Sequence, residues 1–137
     1  MLKTYRGSCH CGAVTYEARI DLSKGTGRCN CTYCRKLRNW SARVEDPADL
    51  IVTAGEDTLA ERVNEWHGGR VATAFCPTCG IATFTRGHIP EAGGAFASVQ
   101  VSTLDDASPE EIIAAPVRYS DGLNDAWQNT PDEVRHL

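Results

Sequence analysis

Seven cysteines gathered into three tight clusters constrain this chain more than any other feature of it. They stand as Cys9-His10-Cys11, Cys29-Asn30-Cys31-Thr32-Tyr33-Cys34 and Cys76-Pro77-Thr78-Cys79. The number is odd, and the opening MLKTYRGSCH lacks the apolar run of a secretory signal, so disulfide staples are the weaker explanation. In a reducing cytoplasm, which is the compartment expected here, closely spaced cysteines serve as metal ligands or catalytic groups.

Structural zinc sites are closed, with four tetrahedral protein ligands that often come as two close pairs. Cys9/Cys11 and Cys76/Cys79 supply such a set. Gly12 and Gly80 each follow the second cysteine of a pair, where a residue without Cβ lets backbone turn tightly beside the metal. Cys29, Cys31 and Cys34 are left with no obvious fourth partner, and three protein ligands plus an exchangeable position is the pattern of a catalytic zinc. Zinc with three thiolates carries a net charge of about −1, a weak Lewis acid poorly suited to making hydroxide. It suits an incoming thiol, held as an electron-rich thiolate, so the expected chemistry is carbon–sulfur bond formation or cleavage.

At 137 residues the chain is read as one domain spanning 1–137, with 42% hydrophobic and 23% charged residues. No stretch approaches a membrane span of roughly 18 apolar residues. Net charge is −4 and no Lys/Arg-rich run stands out, which argues against a nucleic-acid partner. Ionising all seven thiols and adding two zinc ions takes the charge near −7, disfavouring polyanions further.

The pattern is mainly β. Val14, Tyr16, Ala18 and Ile20 alternate with more polar neighbours as a half-buried strand does, and 50–53 is a short β-branched run closed by Gly55. Residues 70–75 and 81–85 flank CPTCG, predicting a hairpin whose turn carries Cys76 and Cys79, and 95–101 predicts another strand after Gly93-Gly94. The stretch 59–66 fits helix or strand. Ser108, Pro109 and Glu111 spell a capping box, and Pro116 ends that helix early. The tail from Tyr119 is rich in Asp, Asn, Gly and Pro, with Trp127 as its expected anchor.

GSCHCGAVTY, CNCTYCRK and FCPTCG, in this order and rough spacing, resemble the glutathione-dependent formaldehyde-activating family (GFA, CENP-V/GFA), from about Gly7 to the C-terminus. The resemblance implies an Mss4-like, mainly β fold, a β-tent built around a structural zinc with one or two short helices. It implies a structural zinc at Cys9, Cys11, Cys76 and Cys79, and a catalytic zinc at Cys29, Cys31 and Cys34, so two zinc ions per chain. It also implies a carbon–sulfur lyase whose substrates are a small thiol and an aldehyde, glutathione and formaldehyde giving S-hydroxymethylglutathione. Where the family commonly carries a Ser-Gly step after its CxCxxCR cluster, this chain has KLRNW at 36–40, a difference placed to alter the substrate if that loop lines the pocket.

Rival readings attach to several residues. His10, His67 or His88 can close the three-cysteine site as a Cys3His set. His10 is expected in solvent, His67 in a turn, His88 in a loop and His136 in the tail. Tyr33 and Thr32 either contact substrate or merely shape their loop. Arg35, Lys36 and Arg38 either receive a carboxylate of an anionic thiol or form a solvated basic face, the second being favoured. Trp40, Trp66 and Trp127 are read as core or pocket wall, and no carboxylate pair stands out as general acid and base. Two different classes of function stay open: a non-enzymatic zinc-binding module on the same fold, and redox chemistry, which needs a spare reactive cysteine.

Overall fold

The computed structural model covers residues 1–137 and holds ten β-strands and two short α-helices, with single 3-10 turns between them. Strands β1 (Lys3–Ser8), β2 (Thr15–Ile20) and β5 (Leu50–Ala54) make an antiparallel sheet in the order β1-β2-β5. A second sheet contains β3 (Thr26–Cys29), β4 (Ser41–Arg43), β6 (Ala60–Trp66), β7 (Gly69–Phe75), β8 (Ala82–Ile89), β9 (Gly94–Gln100) and β10 (Val117–Ser120). Its order is β10-β3-β4-β9-β8-β7-β6, and only the β10–β3 pair is parallel. No helix is long and apolar enough to cross a membrane.

The core lies between the two sheets, and the period-two pattern read in β2 explains how. Tyr16, Ala18 and Ile20 are buried while Thr15, Glu17 and Arg19 face outward. Tyr16 meets Phe84 of the second sheet edge to face, with ring centroids 5.7 Å apart. Its hydroxyl, which burial raises well above the usual phenol range, shares a 2.7 Å hydrogen bond with Thr103 Oγ1. The ring covers Gly7 so closely that a Cβ there would lie 2.2 Å from it. The same packing buries Cys9 and Cys76 within the core cluster, while Cys11 is exposed and Cys79 half-buried.

Local signals explain the turns. The stretch 59–66, ambiguous by propensity, is strand β6, and pairing with β7 decides it. The two strands join through His67 and Gly68, both at positive φ (48° and 71°), the conformation of a tight twisted hairpin turn. The β7–β8 hairpin carries Cys76 and Cys79 as expected. Helix α2 (Pro109–Ala114) starts on a complete capping box: Glu111 N–H donates to Ser108 Oγ at 3.1 Å, and Ser108 N–H to Glu111 Oε2 at 2.8 Å. Glu111 also accepts from Tyr5 Oη at 3.0 Å and pairs with Lys3, tying the helix to β1.

Strands β1, β3 and β4 lie where the sequence carries no strand signal, and so do two further elements that shape the sulfur loop. Helix α1 (Thr32–Leu37) grows inside the three-cysteine cluster and stops at Arg38, whose left-handed backbone (φ 59°) ends it. Strand β10 takes residues from the start of the polar tail and lays them beside β3, Ser120 opposite Cys29.

Replacing Ser108 with Ala removes the hydroxyl acceptor of the capping box and is expected to lower stability by about 1 kcal/mol. A shift in the denaturant midpoint without change in its slope is the measurement.

Candidate metal centres

The four-cysteine set forms where two turns meet. Cys9 and Cys11 follow β1, and Cys76 and Cys79 sit in the β7–β8 turn, 65 positions away for the Cys11–Cys76 pair. All four sulfurs lie within 4.8 Å of one another. Cys9 and Cys11 Sγ are 3.7 Å apart, and Cys11 and Cys76 Sγ 3.6 Å. A tetrahedral zinc with Zn–S of about 2.3 Å needs sulfurs about 3.8 Å apart, so the set fits that ion. Gly12 (φ 81°) and Gly80 (φ 78°) take the left-handed turn expected after each pair. Backbone amides face the sulfurs: Val14 N–H donates to Cys9 Sγ at 3.3 Å, and the amides of Ile81 and Cys11 hold the Cys79 thiol down to about 6.

The three-cysteine set is built on a strand-to-helix turn. Cys29 ends β3, Cys31 is the N-cap of α1, and Cys34 lies in its first turn. Cys31 N–H donates to Cys29 Sγ at 3.3 Å, and Cys34 N–H to Cys31 Sγ at 3.4 Å, so a sulfur does the capping that an oxygen usually does. No histidine nitrogen or carboxylate oxygen joins these three sulfurs. The thiol of Cys34 donating to Cys29 holds the latter down to about 6, while that same contact and burial push Cys34 above the usual thiol range. Three adjacent sulfurs therefore cannot all ionise unaided, and a divalent cation is what relieves their repulsion. The donor set and its crowding fit zinc.

Residues that carry no local motif fix this turn. Asn30 is buried, donates from Nδ2 to Asp121 Oδ1 at 2.9 Å, accepts from Leu123 N–H at 3.0 Å and gives its own N–H to Ser120 O at 3.2 Å. The C-terminal tail is thereby stitched to the sulfur loop. Gly122 sits so close that a Cβ there would lie 2.7 Å from Cys29 Sγ and 2.5 Å from the Trp127 ring.

One wall of a cavity of about 470 Å3 is formed by Cys31, Tyr33 and Cys34. Its floor is the outer face of the large sheet, with Asn64 and Trp66 of β6, Val71 and Thr73 of β7, Thr85 of β8, and Phe96 and Ser98 of β9. Trp127 closes it from the tail, its ring 4.7 Å from that of Trp66. Arg62 also lines it, with its guanidinium 4.3 Å from the centre of the Tyr33 ring.

Set against the expectations, Tyr33, Trp66 and Trp127 reach the cavity, and Asn39 brings the KLRNW loop to it. Thr32 is exposed, and Arg35, Lys36 and Arg38 point elsewhere; Arg38 donates to the His136 carbonyl at 2.5 Å. Trp40 instead packs against the core and donates from Nε1 to Thr26 Oγ1 at 2.9 Å. His10 is exposed, and His67, in its turn, lies between Glu91 (2.8 Å) and Asp125 (3.3 Å). His88 is exposed on β8 beside that turn rather than in a loop, and His136 is exposed in the tail. The cationic contact at the cavity is Arg62, on a strand that is distant in sequence from the sulfur loop and so carries no local signal.

Residues 4–119 match the family described as glutathione-dependent formaldehyde-activating enzyme. The chain belongs to that family. A crystal structure of a Rhodobacter sphaeroides protein is similar to it with a TM-score of 0.64 and 27% identity, over 82% of this chain and 99% of that one.

Gly122→Ala forces a Cβ against Cys29 Sγ, and such changes beside metal ligands cost roughly 10- to 100-fold in affinity. Metal uptake by the three-cysteine set is expected to weaken to that degree, with uptake by the four-cysteine set unchanged, as read by titration against a competing chelator.

Proposed function

We propose that this chain is a zinc-dependent carbon–sulfur lyase that joins or separates a thiol and an aldehyde in the cavity beside Cys29, Cys31 and Cys34. Cys9, Cys11, Cys76 and Cys79 hold a second, structural zinc. The observation that carries the reading is the contrast between the two sets: four clustered sulfurs are enough for one tetrahedron, whereas three sulfurs have no fourth donor and two of them, Cys31 and Cys34, line a cavity with aromatic walls. Family membership supports the same reaction class.

Cys29, Cys31 and Cys34 would hold a zinc ion, which would supply Lewis acidity that favours the thiolate, the nucleophilic form of a thiol. The protein's own residues do the rest. Amide N–H groups of Cys31 and Cys34 spread the negative charge of the sulfurs that hold the ion. Trp66, Trp127 and Phe96 exclude water around the forming carbon–sulfur bond. The hydroxyls of Thr73 and Thr85, 3.1 Å apart, and of Ser98 are hydrogen-bond donors for the aldehyde oxygen as it gains negative charge. The thiol's proton ends on that oxygen, giving the hydroxymethyl thioether, and the reverse path returns thiol and aldehyde.

Cys31→Ser is expected to leave the fold intact and abolish adduct formation from glutathione and formaldehyde, whereas Cys76→Ser should unfold the domain, because structural zinc contributes folding energy directly. Thermal melts together with turnover measure both. Equal destabilisation by the two substitutions contradicts the division of labour. A mild chelator is expected to remove one zinc equivalent well before the other; slow release of both together points instead to a non-catalytic zinc module.

A further inference from the structure

We propose that Arg62 is the specificity-determining residue of this cavity, and that the thiol it selects is a monoanion: one carboxylate on an otherwise apolar body. The proposal rests on the cavity being the substrate site. Strand alternation turns Arg62 into the cavity, while its neighbours Glu61 and Glu65 fall on the other face of β6. Arg62 makes no ion pair, a condition it shares with other arginines of the chain such as Arg28 and Arg43; what sets it apart is that it lines the same cavity as Cys31 and Cys34. Its guanidinium carbon lies 4.3 Å from the centre of the Tyr33 ring, a cation–π contact, and an arginine stacked in this way can still offer edge N–H groups to a bidentate acceptor.

The rest of the lining says which acceptor. Apart from the cysteines, Arg62 is the only lining residue that carries charge; there is no Asp, Glu or Lys. An unpaired cation beside aromatic walls is a site for one anionic group. Tyr33 lies between Cys31 and Cys34 in sequence, and the guanidinium stacked on it lines the same cavity as those two cysteines, so one small molecule that occupies the cavity can meet both. Glutathione brings two carboxylates and an ammonium, and the lining offers neither a second cation nor a carboxylate for the ammonium. The chain's own thiol is therefore smaller and simpler than glutathione.

The test measures thiol binding to the zinc-loaded full chain through quenching of tryptophan fluorescence, since Trp66 and Trp127 form the walls. The probes are 3-mercaptopropionate, propane-1-thiol, cysteamine and glutathione. The wild type is expected to bind 3-mercaptopropionate about tenfold more tightly than propane-1-thiol or glutathione, the size of effect of one charged hydrogen-bonded pair. Arg62→Gln is expected to erase that preference, Arg62→Lys to keep part of it and Arg62→Glu to shift it to cysteamine, all with two zinc ions retained. Equal binding of 3-mercaptopropionate and propane-1-thiol, or a preference that survives Arg62→Gln, overturns the proposal while thiol docking stands. Tighter binding of glutathione overturns the monoanion assignment. Loss of zinc in Arg62→Gln shows that the arginine serves the sulfur cluster and overturns it too. No quenching by any thiol overturns both this proposal and the reading beneath it.

Discussion

Thiols packed against one another resist ionisation, because each negative sulfur raises the cost of the next. In this fold seven sulfurs are held in two such groups, and everything else is arranged around that repulsion. Cys34 is pushed upward by Cys29 while Cys29 is drawn downward by Cys34, a proton shared where the geometry suits a cation. The four-sulfur group is more deeply committed: Cys9 and Cys76 are core residues as much as ligands. A cation held there would offset the repulsion of a cluster whose Cys9 and Cys76 are buried in the core, so its binding would be coupled to folding.

The two groups differ in how the chain assembles them. Four sulfurs come from two turns far apart in sequence, so their meeting closes a long loop and fixes one sheet against the other. Three sulfurs come from one strand-to-helix turn, so they form locally and are then held by their surroundings. Those surroundings are the C-terminal tail, through Asn30, Asp121 and Gly122. A site assembled locally and braced from one side can keep its other side open, and the cavity lies on that side.

That cavity is shaped by a sheet face that looks ordinary along the chain. Small and hydroxyl-bearing side chains, Thr73, Thr85 and Ser98, leave room above the strands, while Trp66, Phe96 and Trp127 stand up around the space. Charge is kept out of it except at Arg62. That cation stacks on Tyr33, the residue between Cys31 and Cys34 that lines the same space.

Much of this was legible without coordinates. The division of the cysteines follows from donor number and spacing, the β2 strand from alternation, and the start of α2 from a capping box complete within four residues, because each depends on neighbours close in sequence. Helix α1 escaped because the six residues Thr-Tyr-Cys-Arg-Lys-Leu are too few to show an apolar period, and sulfur capping by Cys31 replaced the usual oxygen signal. The strand β10 and the roles of Asn30, Gly122 and Arg62 escaped for another reason. Each acts on a residue far away in the chain, across a parallel strand pair, a folded-back tail or four neighbouring strands. The sequence by itself thus determined how the seven sulfurs divide into a group of four and a group of three, since cysteine identity and spacing are written along the chain. Only the tertiary structure decided what faces the open side and what charge awaits a ligand there, since a cavity belongs to surfaces that meet solely when the chain has folded.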